Sequence, residues 1–424
     1  MTTPPTDDRS TIGTRRLLLT VMIAQAFYTA GDSISGGKFL TYYVDGLTGS
    51  VLGLSLLFVL PELVAVLGIL AQPALARRRD PKTVWLAFAI IARLAGLGVA
   101  VAGGLPAGGR TPVTLGLVAL LEVAQAISYV ALIAWLASIG PPGRWGRLFA
   151  RRGIAISATL AIVGPLAGSI VLERYGKRPS LPQYATILTV GQGIATAGLL
   201  IYATLPRGRP APQKPQRLRP LLRSLATRRS TRRTIATALH LALANGLTQS
   251  AFYFYSTQHL GIAAGTAVQM VGLMYAMQIA AAYAGGRLLD RRSNRVVYAA
   301  SLAVAAAAVP FWFVALWDVR AVWLVYAVWG AFGAVNIAGR TLMLRLVPEE
   351  DAAGGVAVFR LLGGLLAGLS GLLGGAVLSA TQVEGRTSLT ACLTLIGVSL
   401  AGRLTAPLWL LGWSDPAEHP GRSG

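Results

Sequence analysis

Apolar residues fall in runs of about 20, each long enough to cross a ~30 Å hydrocarbon core as an α-helix. Short polar stretches separate the runs along the whole chain. Barrel strands would instead alternate apolar and polar residues over about ten positions. Segments such as 51–60 and 361–378 do not alternate. The pattern predicts twelve helical spans, at 17–44, 51–75, 83–104, 113–138, 153–172, 184–205, 235–259, 265–288, 296–317, 321–346, 356–380 and 389–413. The backbone inside each must satisfy its own hydrogen bonds, as a helix does.

The spans fall into two sets of six, because the polar loops repeat. The loop Gly286-Arg-Leu-Leu-Asp290-Arg-Arg-Ser-Asn-Arg295 has a worn copy at Pro73-Ala-Leu75-Ala-Arg77-Arg-Arg-Asp80-Pro-Lys82, residue 73 to residue 286 being an offset of 213. A second echo pairs Gly146-Arg-Leu-Phe149-Ala-Arg-Arg152 with Val356-Ala-Val-Phe359-Arg360, residue 149 to residue 359 being an offset of 210. Two similar offsets indicate a parallel duplication. The expected organisation is a tail (1–16), a six-helix half (17–205), a basic linker (206–234), a second half (235–413) and a tail (414–424).

Composition agrees with a membrane protein: 54% of residues are hydrophobic and 13% charged, with a mean hydropathy of +0.59. The net charge of +22 does not mark a nucleic-acid surface, since the basic residues sit in short loops between spans. Alternate loops, together with the N-terminus, hold roughly 25 of them and the opposite loops roughly six, the positive-inside pattern. Both termini are therefore expected in the cytoplasm, with the chain in the inner membrane of a bacterium. The linker holds about ten basic residues and no acid, suited to lie against an anionic leaflet or to act as a solvated tether. One cysteine, Cys392, allows no intrachain disulfide, and three scattered histidines suggest no metal site. Without a Ser/His/Asp set or a phosphate-binding loop, neither an enzyme nor an ATP-driven pump is expected, and no cofactor.

Two six-span halves, a basic central loop and a G-x-L-x-D-R-x-x-x-R loop after the second span of a half resemble the major facilitator superfamily. Gly286, Leu288, Asp290, Arg291 and Arg295 carry that loop signature; in the N-terminal copy Pro73 replaces the glycine and Arg77 the acid. The resemblance implies an all-α membrane fold of two pseudo-symmetric six-helix halves. It also implies a conformational latch at Gly286, Asp290, Arg291 and Arg295. In the fifth span, Gly164-Pro165-Leu-Ala-Gly168 resembles part of a motif associated with exporters, though Leu160 stands where a preceding glycine is expected.

Charges within the spans suggest chemistry. Glu62 lies ~17 Å into its span, Arg93 ~15 Å and Glu122 ~14 Å, near the middle of the bilayer. Asp32 lies in the small, polar stretch Gly31-Asp-Ser-Ile-Ser-Gly-Gly37, with Lys38 nearer the membrane boundary. Buried charges of this kind are costly unless paired or wetted. Asp32, Glu62, Glu122 and Arg93 are accordingly candidates for proton coupling, the alternative being a fixed salt-bridge network. Gln125 and Tyr129 share a helix face with Glu122. Asn245, Gln249 and Tyr253 in the seventh span, and Trp329 and Asn336 in the tenth, form polar-aromatic faces fit for an organic solute. Phe252-Tyr-Phe-Tyr255 fits an outer aromatic belt equally well. The expected function is secondary transport of a small organic solute, with protons as partner and the protein acting as a monomer. The alternative is a transport-inactive membrane sensor or scaffold.

Overall fold

The computed structural model describes residues 8–70, 80–139, 145–207, 229–289, 291–346 and 352–411. The first span is α1 (Asp8–Ser35) and α2 (Gly37–Thr48), broken where Gly37 adopts a positive φ of 50°. The next five spans are α3 (Val51–Leu70), α4 (Pro81–Val101), α5 (Ala107–Ile139), α6 (Trp145–Tyr175) and α7 (Leu181–Ala203). In the second half the seventh span is α8 (Arg229–Leu247) and α9 (Gln249–Phe254), closed by a π turn at Tyr255–His259. The eighth is α10 (Ala264–Leu289); the ninth is α11 (Asn294–Ala306) with α12 (Pro310–Val314). The tenth is α13 (Ala321–Trp329) with α14 (Phe332–Leu346), the eleventh α15 (Ala352–Ala380) and the twelfth α16 (Leu389–Thr405).

Among the described residues, ten helical stretches are long and apolar enough to cross a membrane, and Val51–Val64 is a shorter apolar helix. The remaining expected span is the seventh. It is interrupted at Thr248, whose hydroxyl turns back on the carbonyls of Ala244 and Asn245. A hydroxyl that competes for helix carbonyls is a recognised cause of such breaks. The first span runs four residues beyond the expected end at 44, and Gly49, in the left-handed region (φ 56°), closes it by donating to the Asp45 carbonyl at 2.9 Å.

Within the halves, the first span packs on the sixth and the third on the fourth; the eighth and ninth both pack on the tenth. Between halves the fifth packs on the eighth and the second on the eleventh. The duplication maps the second span onto the eighth and the fifth onto the eleventh, so these seams are one seam used twice. Small residues allow it: a methyl on Gly265 would meet the Gly168 carbonyl at 2.6 Å, and Gly272 lies directly against Pro165. The exporter-like Gly164-Pro165-Leu-Ala-Gly168 stretch is thus a close-packing surface of this seam.

The face reached by the linker is tied within the first half. Lys82 donates to the Ala203 and Leu205 carbonyls at 2.7 and 2.6 Å, satisfying the end of the sixth span. Asp80 caps α4 through the Lys82 backbone amide (3.0 Å) and the Thr83 hydroxyl (2.7 Å), with Arg207 at 3.7 Å. The Thr83 hydrogen bond, more than any other neighbour, holds the Asp80 carboxyl below its ordinary pKa. The described end of the worn loop copy, residues 80–82, is therefore a local staple.

Candidate functional site

The polar break in the first span exists because a helix interrupted at Gly36 and Gly37 exposes backbone and small side chains to a cavity instead of to lipid. That cavity has a volume of about 300 Å³ and lies between the first, fifth and eighth spans. Asp32, Lys38, Thr29, Ser33 and Tyr275 supply its polar lining, and Leu160, Val268 and Val271 part of its apolar wall.

Asp32 does not stand alone. Arg93 Nη1, from the third span, lies 2.7 Å from its carboxylate, with the arginine side chain 5% exposed and the aspartate 33%. The same guanidinium donates to Gln192 Oε1 at 3.0 Å and to the Tyr28 hydroxyl at 3.3 Å, and lies over the Tyr28 ring at 4.9 Å. One cation thus ties the first, third and sixth spans. A buried charge is costly without a partner, and here the acid offsets it, while Arg93 Nε has no hydrogen-bond partner among the described residues. Glu122, half-buried on the fourth span, lies close enough to feel the Asp32 charge. No ion pair holds Glu122 or Lys38 among the described residues.

Glu62 lies elsewhere, at the seam of the second and eleventh spans, where a methyl on Gly364 would meet its carbonyl at 3.0 Å and its Oε2 at 3.3 Å. Gln125 is half-buried on the fourth span. Tyr129 is exposed, with the Arg152 guanidinium 5.6 Å from its ring centre. Arg152 donates to Gln25, which also accepts from Tyr202.

In the second half, Asn245 Oδ1, Gln249 Oε1 and Trp329 Nε1 are buried without hydrogen-bond partners among the described residues, while Asn336 is exposed. Tyr253 is 2% exposed and donates to Asp45 Oδ2 across the two halves at 3.0 Å. Tyr253, Phe254 and Tyr255 are buried, so Phe252-Tyr-Phe-Tyr255 is no outer belt. Three further bonds bridge the halves toward the face opposite the linker: Tyr42 to the Ile262 carbonyl (2.7 Å), Ser250 to Ser55 (2.8 Å) and Gln269 to Ser169 (2.9 Å). Sequence reasoning missed Asp45 because it ended the span one residue short of it. It missed Gln192 too, although a lone glutamine in an apolar span is a signal for interhelical bonding.

Of the expected latch, Asp290 lies outside the described residues. Gly286 lies in the last turn of α10 with open space beside it, Arg291 is exposed with its backbone amide on the Leu288 carbonyl, and Arg295 is half-buried.

The Major Facilitator Superfamily model matches residues 21–372. The chain belongs to that family. Its fold is that of solved members. A mutant of the nucleoside transporter NupG superposes with a TM-score of 0.73 at 15% identity, covering 93% of this chain and 100% of that one. A D-xylose-proton symporter gives 0.71 at 12% identity, covering 96% and 98%. The xylose transporter XylE from E. coli, in a partially occluded inward-open conformation, gives 0.68 at 10% identity, covering 95% and 98%. No curated protein matches in sequence. At these identities the likeness carries the fold, not the substrate. This member of the superfamily is an all-helical, multi-pass membrane protein with two pseudo-symmetric halves.

Proposed function

We propose that this transporter moves a small organic solute by alternating access, coupled to protons, through the cavity at Asp32. The carrying observation is Glu122: a half-buried acid without an ion pair among the described residues, close enough to feel Asp32, whose charge Arg93 already balances. An acid so placed can load a proton when the cavity opens to one side and release it when the cavity opens to the other. The solved likenesses include a protein named as a proton symporter, which is compatible with this reading.

The hydrogen bonds on the face opposite the linker support a state closed there and open toward the linker. With the linker in the cytoplasm, as the positive-inside pattern indicates, this is the inward-open arrangement. In the alternate state Asp290, with Arg291 and Arg295, would latch the linker face.

The test uses proteoliposomes loaded with a pH-sensitive dye and screened against a panel of small solutes. A transported solute is expected to move protons in proportion to its own flux, and Glu122→Gln to abolish the proton movement. Solute flux that neither moves protons nor responds to collapse of the pH gradient refutes the coupling.

A further inference from the structure

Arg403, in the twelfth span, is 5% exposed, and no acid lies in any membrane helix of its half. Its Nε donates to Ser399 Oγ at 3.1 Å, and its guanidinium lies 5.7 Å from the ring centres of both Phe252 and Trp329. The rings offset part of the charge but accept no hydrogen bond in their plane. The terminal nitrogens have no acceptor among the described residues, although guanidinium carries five N–H donors. Beside it the Trp329 indole N–H also lacks an acceptor.

The duplication explains how this arose. Gly31 packs on Gly191 in the first half, and Gly402 packs on Ala244 in the second, a methyl on Gly402 meeting Ala244 Cβ at 2.9 Å. Taken with the loop offsets of 210 and 213, this contact pairs Asp32 with Asn245 and Gln192 with Arg403, offsets of 213 and 211. In the first half a cation, Arg93, meets an acid and an amide. In the second half the cation has moved to the amide's position and an amide occupies the acid's. At the place of Arg93 stand Val304, Ala305 and Ala306. The second half keeps the cation and loses its counter-charge.

We propose that Arg403 is an anion-binding residue, and that the solute recognised between the seventh, tenth and twelfth spans is an organic carboxylate. The guanidinium fork presents two parallel donors, which a carboxylate fits and a neutral amide does not. The Trp329 N–H adds a donor, and the Phe252 and Trp329 rings receive an apolar body. The reading that this solute is also transported rests on the proposed function; binding itself does not.

The experiment measures thermal unfolding of the purified full-length protein with benzoate, hexanoate, cyclohexanecarboxylate and lactate. Each is compared with its neutral amide and with chloride at equal ionic strength. At least one carboxylate is expected to raise Tm saturably, with its amide and chloride inactive. Arg403→Gln should weaken that response at least roughly tenfold, as loss of a charged hydrogen-bond donor does. Without ligand it should be no less stable than wild type, because an unpaired buried charge is removed. Trp329→Phe, which keeps an aromatic ring but loses the indole N–H, should weaken binding without loss of fold. The proposal is overturned if no carboxylate stabilises the wild type, if Arg403→Gln keeps the response, or if Arg403→Gln alone destabilises as loss of a strut would. Carboxylate binding without flux would remove the transport reading and leave the site; flux of neutral solutes with no carboxylate response would do the reverse.

Discussion

Replacing Tyr253 by phenylalanine removes one hydroxyl and leaves the ring in place. That hydroxyl donates to Asp45 across the two halves at 3.0 Å, in a site where the tyrosine is 2% exposed. A hydrogen bond to a charged group contributes about 1.5–3 kcal/mol, so its loss from one access state shifts the equilibrium roughly 10- to 150-fold toward the other. The neighbouring Tyr42–Ile262 bond and the Tyr42–Tyr253 ring contact at 5.3 Å survive, so the seal loosens without dissolving. Cysteine labelling reads this directly, because Cys392 is the chain's one cysteine and is buried. In a Cys392→Ser background, Val271→Cys places a thiol on the cavity wall beneath the seal. An impermeant maleimide added on the face opposite the linker should react faster in Tyr253→Phe by that factor. Tyr298→Phe, buried wholly within the second half, is the control. Equal labelling rates in the two variants would refute the view that this bond holds the face closed.

Asp80→Ala should cost about 1 kcal/mol in stability, the usual effect of losing an N-cap, measured by thermal unfolding. Because the folded-state pKa of Asp80 is lowered, its contribution is present above the unfolded value of about 3.9 and is lost as pH falls through the folded value. Arg93→Ala leaves Asp32 facing the cavity without its cation. Removing one partner of a buried pair costs about 3–5 kcal/mol, and the 33% exposure of Asp32 favours the lower end. Adding Asp32→Asn should restore much of the loss; a double variant no more stable than Arg93→Ala would show that the pair is not what Arg93 supports.

Periodicity and loop repeats revealed the spans and the duplication because both depend on local rules: helix length against bilayer thickness, and loop charge against the membrane. Pairing followed no such rule. Arg93 was visible as a mid-membrane cation, but three acids in the same half competed for it. Asp32 won because the first, third and sixth spans converge there, with Gln192 completing the site. Tyr253 read as a solute-facing residue by its helix face; the opposing first span made it a donor to Asp45 instead.

From the sequence alone came the class of protein, the halving of the chain and the presence of charges that water could not reach. Only the tertiary structure decided which of those charges cancel. A helix face records where a side chain points, while neutralisation depends on what another span, roughly sixty to two hundred residues away, places opposite it. That is why Arg93 and Arg403, alike as buried arginines in apolar spans, end with an acid beside one and aromatic rings around the other.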